Sequence, residues 1–198
     1  EQKTSEVLTI TEAPVVLSLI PRTKSLKPGI SAEIIVGTKG PDGSALGLEV
    51  TANTVYYSEN GATLGQVASN VTTAQGVGTL TLLPPASTSY AEVTARAELS
   101  GHATSAFVRI GGAYSPSGSF LSLARVGSVE AASVGEVLSF SAVSTHRGTV
   151  YFEVYAGGRT VLSDASEADT FSFAVTPDMS PRAKVVASVF AAIVLVGV

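Results

Sequence analysis

The sequence predicts an all-β protein built from two tandem immunoglobulin- or fibronectin-like antiparallel β-sandwich domains. Short runs rich in Thr, Val, Ile, Tyr and Phe are separated by turn residues, as strands of such domains are. No window of helical length carries a sustained apolar stripe with capping residues. The two halves also share a strand pattern at an offset of about a hundred residues, the size of one seven-stranded sandwich.

The turn residues that separate the strands are rich in Gly, Pro and Asn, which suit the backbone angles of tight turns. The turns are predicted at Lys39–Gly43, Glu59–Gly61, Leu83–Pro85, Gly111–Gly112 and Ala156–Gly158. The clearest strand is Val150–Tyr155, where Val150, Phe152 and Val154 alternate with more polar neighbours. Gly157 and Gly158 follow this strand, and residues 159–162 follow the glycines, so the segment is predicted to form a β-hairpin.

The repeat sets the domain boundaries. Leu17-Ser18-Leu19 precedes Gly29 and an alternating strand, and Leu121-Ser122-Leu123 precedes Gly135 and another. We therefore place one sandwich at residues 14–112 and a second at 113–198. The stretch Gly111–Gly118, rich in Gly, Ser and Pro, is typical of a linker. Residues 1–13, with the strand-like Val7–Thr11, are expected to belong to a preceding domain or linker strand.

The composition excludes several classes of function. The chain has 198 residues, no cysteine, 12 Lys and Arg against 16 Asp and Glu, and 14% charged residues, against a norm of about 25%. Without cysteine there is no disulfide, zinc–thiolate site or cysteine nucleophile. A net charge of -4 with few cations argues against nucleic-acid binding. The 45% hydrophobic content argues against disorder.

The ends of the chain carry no targeting pattern. Glu1–Glu6 is polar and lacks the basic-then-apolar order of a signal peptide. Val185–Val198 contains no charge and Ser188 as its one polar side chain, but it is shorter than the ~18 residues that cross a bilayer. We interpret it as one or two buried strands; the alternative is a truncated membrane anchor.

Residues with catalytic or metal-binding chemistry are few. His102 and His146 fall in different predicted domains and turn-like segments, without the paired spacing of zinc ligands. His146, Asp164 and a serine could form a triad on paper, but no Gly-x-Ser-x-Gly elbow is present. Asp164, Glu167 and Asp169 are interpreted as a solvated acidic loop, with glycosidic chemistry or weak calcium binding as the alternatives.

Three further motifs are interpreted as structural. Gly40–Gly43 lies between strands and lacks the Gly-Lys-Ser/Thr ending of a phosphate loop. Tyr56 and Tyr57 are adjacent in a strand, so they point to opposite faces and form no sugar-stacking platform. Asn70-Val71-Thr72 is a glycosylation sequon in an expected loop. We therefore predict no catalytic, cofactor-binding or metal-binding residues, and no enzyme.

The order of four stretches resembles the alpha-2-macroglobulin and complement family of thioester proteins, at its consecutive fourth and fifth macroglobulin domains. Leu8–Thr11 followed by Val15–Leu19 is similar to the passage from the third domain into the fourth. Leu26–Gly29 followed by Pro41–Gly43 resembles the opening of the fourth domain. Tyr114–Leu121 resembles the start of the fifth domain, and Phe171–Ala183 resembles a strand and turn of the fifth domain.

This resemblance implies a non-catalytic scaffold fragment of a secreted protein that traps proteases or serves innate defence through an internal thioester. The thioester motif needs a cysteine, which this chain lacks, and the protease-cleaved bait segment is absent. The final strand of the fifth domain is shortened or lost after Phe190. The implied location is extracellular, cell-surface or periplasmic. The implied partners are neighbouring domains of the parent and, through the parent, proteases, with no nucleic acid and no stable membrane span.

Two binding functions compete with this scaffold function. Tandem immunoglobulin-like repeats of a bacterial adhesin or invasin also show a glycine-led strand such as Gly76–Leu82. Adhesin arrays repeat one template, however, whereas these halves diverge. A carbohydrate-binding module is the other alternative, weakened by the absence of Trp. Catalysis ranks last.

Overall fold

The computed structural model describes residues 13–127 and 131–190, and it divides the chain into two compact units, Glu1–Tyr114 and Ser115–Val198. The described residues form antiparallel strands, with one 3-10 turn at Pro177–Met179. These strands assemble into four sheets, which confirms the all-β, sandwich-type fold. Within the described ranges, no helix has the length and apolar character needed to cross a membrane.

The first unit is a sandwich of a three-stranded and a four-stranded sheet, in the orders β1-β2-β5 and β4-β3-β6-β7. All neighbours in both sheets are antiparallel. The strands are β1 (Val16–Pro21), β2 (Ala32–Lys39), β3 (Glu49–Tyr57), β4 (Thr63–Thr72), β5 (Val77–Leu82), β6 (Tyr90–Leu99) and β7 (His102–Gly111).

The core of this unit follows from alternation along each strand. Ile34 and Val36 of β2 face Val50 of β3 and Val93 of β6 across the sandwich, and all four side chains are fully buried. Their β-branched side chains pack well on a pleated surface. Because successive residues point to opposite faces, a strand that buries every second residue keeps its polar ones in water.

The second unit repeats the same topology over six described strands. They are β8 (Leu121–Val126), β9 (Val137–Ser144), β10 (Val150–Ala156), β11 (Arg159–Ser166), β12 (Thr170–Ala174) and β13 (Ala183–Val189). The sheet orders β12-β9-β8 and β11-β10-β13 correspond to β5-β2-β1 and β4-β3-β6. Within the described residues, no strand corresponds to β7.

The structure bears out the internal repeat. Leu17–Leu19 lies in β1 and Leu121–Leu123 in β8, the first strand of each unit. Gly29 and Gly135 both have positive φ, at 80° and 90°, which favours glycine in the turns that lead to β2 and β9.

The hairpin predicted at residues 150–162 is also present, as β10 and β11. Its inward residues Val150, Phe152 and Val154 are buried as expected. They contribute to the core of the second unit, which stacked phenylalanines fill, in contrast to the core of the first unit. Phe152 lies 3.9 Å from Phe171 between ring centroids, and Phe140 lies 5.6 Å from Phe173.

Two expectations about the ends of elements need correction. Gly111 ends β7 and Gly112 forms a bridge with Leu26, so these glycines belong to the pairing of the first unit and not to a linker. The apolar C-terminal run is a strand as far as Val189, but its residues are partly or fully exposed where burial was expected. Val7–Thr11 and residues 191–198 lie outside the described residues.

A backbone clasp closes one end of the first unit. The N–H of Leu26, in the β1–β2 connection, donates to the carbonyl of Gly111 at 2.8 Å. The N–H of Ala113 donates back to the carbonyl of Leu26 at 2.6 Å. The side chain of Leu26 is fully buried, so the connection is fixed by hydrogen bonds and by packing.

A buried hydroxyl pair closes the sandwich near the β4–β5 turn. Thr38 Oγ1 and Thr73 Oγ1 lie 2.8 Å apart, and both side chains are buried. Thr38 Oγ1 donates to the carbonyl of Leu46, and Thr73 Oγ1 accepts the N–H of Leu48. Gly76 passes so close that a Cβ there would lie 2.7 Å from the Thr38 carbonyl oxygen. These bonds hold β2, the β2–β3 loop and the β4–β5 turn together.

We expect Thr73→Val to lower the free energy of unfolding by about 1–3 kcal/mol, because it leaves the N–H of Leu48 without its hydroxyl partner and removes the bond between the hydroxyls of Thr38 and Thr73. Urea unfolding followed by circular dichroism measures the change. Thr72→Val, at the exposed neighbouring residue, is the matched control and should stay within about 0.5 kcal/mol of the parent. Equal losses in the two variants would show that the hydroxyl pair adds nothing specific.

Candidate functional site

The two histidines lie in different units and in different settings. His102 begins β7, where a turn was expected, and it is exposed. His146 lies in the bend after β9 and is also exposed. Its Nδ1 is 2.8 Å from Ser119 Oγ, while the neighbouring Thr145 N–H donates to the carbonyl of Phe120. These bonds fasten a loop to the start of the unit.

The acidic residues are spread over a strand and a turn. Asp164 lies within β11, contrary to the expected loop, and its Oδ1 accepts the N–H of Ala165 at 2.8 Å. Glu167 and Asp169 lie in the bend before β12, and all three side chains are exposed. In the part of the chain that the structure describes, no three acidic or histidine residues are grouped to hold a metal ion.

The Gly40–Gly43 segment is a turn closed on itself. The N–H of Gly43 donates to the carbonyl of Gly40 at 3.0 Å. Asp42 Oδ1 accepts both the hydroxyl and the N–H of Ser44, and these hydrogen bonds lower the pKa of the Asp42 carboxyl below its usual value. An ionised carboxylate in the turn disfavours a phosphate there.

Asn70 lies on β4 and not in a loop. It is exposed and pairs with Thr51 of β3. The sequon is therefore presented by an extended strand at the edge of the four-stranded sheet.

The two adjacent tyrosines point to opposite faces, as predicted. Tyr56 is 3% exposed in the core, whereas Tyr57 lies on the outer face of the four-stranded sheet. Tyr57 stacks on Tyr90 with a centroid distance of 4.7 Å and an interplanar angle of 15°. The guanidinium of Arg109 lies 3.8 Å from the centroid of the Tyr90 ring.

This stack was not predicted from the sequence, because its members come from three strands and meet only through register. Tyr57 is directly opposite Tyr90, and β6 lies between β3 and β7. Tyr57 and Arg109 therefore approach Tyr90 from its two sides. The faces of the Tyr90 ring are covered, which leaves no open platform for a sugar on that ring.

The environment of the stack raises the pKa of Tyr57. Partial burial of the ring is the main cause. The negative charge of Glu92, the charge interaction with Tyr90 and a hydrogen bond to Glu92 add to it, in that order. The positive charge of Arg109 acts in the opposite direction. The phenol therefore keeps its proton to a higher pH than an ordinary tyrosine.

The second unit contains an apolar cavity of about 550 Å³. It lies between its two sheets, at the edges formed by β8 and β13, and both sheets supply lining side chains. The lining residues are Leu123, Arg125, Ala132, Leu138, Phe140, Phe173, Val175, Met179, Pro181, Arg182, Ala183 and Val185. None of these side chains is a general acid or base near neutral pH, so the cavity suits binding of apolar groups and not proton-transfer chemistry.

Comparisons with known proteins give similar structures at low identity. No protein-family model and no curated protein matches the chain. A crystal structure of Salmonella alpha-2-macroglobulin aligns with 91% of this chain and 16% of its own, at 10% identity and a TM-score of 0.43. Native alpha-2-macroglobulin of E. coli aligns with 90% and 12%, at 12% identity and a TM-score of 0.39. Red sea bream transglutaminase aligns with 91% and 31%, at 13% identity and a TM-score of 0.36.

We expect substitutions beside Tyr57 to move its pKa in opposite directions. Glu92→Gln removes a charge and changes a hydrogen bond that raise this pKa, so the pKa should fall. Arg109→Gln removes a charge that lowers it, so the pKa should rise. Titration of the labelled ring carbon of Tyr57 by NMR measures both shifts.

Glu98→Gln is the control for these two variants. Glu98 lies on the outer face of β6, as Glu92 does, and its replacement should leave the titration of Tyr57 unchanged. Shifts of the same sign in Glu92→Gln and Arg109→Gln would contradict the charge arrangement described here.

Proposed function

We propose that this chain is a non-catalytic scaffold segment of a secreted alpha-2-macroglobulin-like thioester protein. The parent would act in protease trapping and innate defence, at an extracellular, cell-surface or periplasmic location. The chain itself would position neighbouring domains of that parent. Proteases would be partners of the whole parent protein.

The observation that carries the proposal is the ordered set of family-like motifs on two successive sandwiches. In the first unit, Lys27–Gly29 forms the turn before β2 and Pro41–Gly43 the turn after it. Tyr114–Leu121 runs from the last residue of the first unit to β8, and in the second unit Phe171–Ala183 runs from β12 through the 3-10 turn to β13. Their order along the chain supports two different consecutive domains of one family.

The packing of the first unit supports a scaffold role. The buried polar side chains among the described residues are threonines: Thr38, Thr54, Thr73 and Thr88. The buried hydroxyl of Thr38 bonds to backbone and to Thr73. Core groups of this kind rigidify a domain and supply no nucleophile activated by a base.

The cores of the two units favour divergent domains over a uniform repeat. Aliphatic residues and Tyr56 fill the first core, whereas four phenylalanines stack in the second: Phe140, Phe152, Phe171 and Phe173. A second candidate function is an array of repeats in a bacterial adhesin. The strand order that the two units share favours this candidate, because such arrays repeat one topology. The different cores weigh against it.

Exposed apolar side chains support contacts with neighbouring domains of a parent. Ile20 is 56% exposed on β1, and Phe107 is 60% exposed on the outer face of β7. Because only 14% of the residues are charged, these side chains lie on a weakly charged surface, which a neighbouring domain would cover.

We expect the isolated chain to self-associate at high concentration and to bind an apolar dye, because this surface is uncovered in the fragment. Light scattering and dye fluorescence measure both effects. Phe107→Ser should reduce them, and Ser105→Thr, on the same face of β7, is the matched control. A strictly monomeric chain with negligible dye binding would remove this support.

The parent protein provides the test of the thioester function. An antibody raised against this chain would isolate the parent, which is then treated with labelled methylamine. The amine should form an amide with the thioester acyl carbon while the C–S bond breaks and one thiol is released. The chain alone, which has no cysteine, should take up no label. A parent that incorporates no label and releases no thiol contradicts the proposal.

A further inference from the structure

Among the described strands, the order in the two units differs at one sheet edge. In the first unit β6 pairs with β3 on one side and with β7 on the other. Its counterpart β13 pairs with β10 on one side, and within the described ranges no strand lies on its other side. Such an edge presents backbone N–H and C=O groups that can pair with a further strand.

The burial of side chains reflects the same difference. The inward residues of β6 are closed off completely, with Ala91, Val93 and Ala95 at 0% exposure. The residues of β13 that pack on the second core, among them Val185 and Val189, are partly exposed. The described residues therefore cover the inner face of β13 incompletely.

The apolar cavity lies where a seventh strand would place its side chains. In the first unit β7 packs against β1 and buries Ile110 at 4% exposure. In the second unit the corresponding position, between β8 and β13, is lined by Leu123 and Val185 at the edge and by Leu138 deeper in. The cavity and the open strand edge thus form one groove, which we call the β13 groove.

The charged side chains that line the cavity, among the residues that the structure describes, are arginines. Arg182 lines the cavity just before β13 begins, and Lys184 lies on β13. Arg125 also lines the cavity, and its guanidinium lies 3.4 Å from Glu136. A strand antiparallel to β13 would end its course beside Arg182, so a carboxylate at its C-terminal end would meet that guanidinium.

We propose that the β13 groove binds an extended strand of a separate polypeptide by β-strand addition. The strand runs antiparallel to β13, inserts alternate apolar side chains into the cavity, and carries an acidic group near its C-terminal end. Backbone pairing with β13 provides the affinity, and the cavity and Arg182 provide the specificity. This binding site goes beyond the scaffold function and does not depend on it.

The probe is a synthetic peptide, Thr-Val-Thr-Val-Thr-Ile-Thr-Glu, with an amidated C-terminus. It alternates apolar and polar residues and is long enough to span the seven residues of β13. Titration of the full chain, followed by calorimetry, should give saturable binding. Hydrogen exchange should show new protection at amides of β13.

A charge exchange tests the register. Arg182→Glu should weaken binding of the Glu-ended peptide about tenfold, and a Lys-ended peptide should recover that loss. Arg182 is exposed and lies outside the strands, so the fold should be unaffected. Arg147→Glu, at an exposed loop residue of the same unit that does not line the cavity, is the control and should bind as the parent does.

A cavity-filling variant tests the apolar contact. Leu123→Trp places a larger side chain in the β13 groove and should abolish peptide binding, while circular dichroism confirms that the unit is folded. Absence of binding by the full chain would overturn the proposal, as would binding that neither Arg182→Glu nor Leu123→Trp changes. It would also be overturned if β13 amides were fully protected in the free monomer, which would assign the groove to the chain's own residues. Protection that appears only with dimer formation would also overturn the proposal, because it would assign the groove to a second copy of this chain and not to a different polypeptide.

Discussion

Burial of the inner sheet faces against each other is the constraint on which the rest of this molecule depends. In the first unit seven strands satisfy it, and the inward residues of β2, β3 and β6 are almost completely removed from water. The polar groups inside are threonine hydroxyls, and Thr38 and Thr73 bond to each other and to backbone. Six described strands of the second unit satisfy the constraint less completely, because the cavity interrupts its core at the edge. Among the described strands, the closed core of the first unit and the groove of the second follow from how many strands cover each core.

Local pattern was sufficient to predict much of the fold. Alternation along residues 150–155 predicted both the strand and its buried face, and turn residues predicted its hairpin partner. Features that arise from pairing between distant strands were not predictable in this way. The stack of Tyr57, Tyr90 and Arg109 requires the register of three strands, and the cavity requires the complete strand order. Asp164 was misassigned to a loop because a polar strand at a sheet edge has the composition of a loop.

The candidate functions of this chain use its strands as surfaces and edges, and they do not use reactive side chains. Both histidines, Asp164, Glu167 and Asp169 are exposed, and in the described part the histidine and acidic residues do not group into a metal site. Within the described ranges, the two units differ in the filling of their cores and in the covering of one edge. The same topology can therefore serve as a closed structural block in one unit and as a receptive surface in the other. Fold alone does not decide between these roles, which are set by side chains at the edges.

The clasp between Leu26 and the end of β7 has a consequence for the order of events during synthesis. The backbone groups of Leu26 find their partners at Gly111 and Ala113, which leave the ribosome much later. Until then the N–H and C=O of Leu26 lack these two partners, and the strand that completes the core beside its apolar side chain has not formed. Contacts so distant along the chain slow folding, because a long loop must close before they form. The first unit thus completes its fold only when its last strand has emerged, and a pause in translation within β7 would prolong its exposure to proteases and to aggregation.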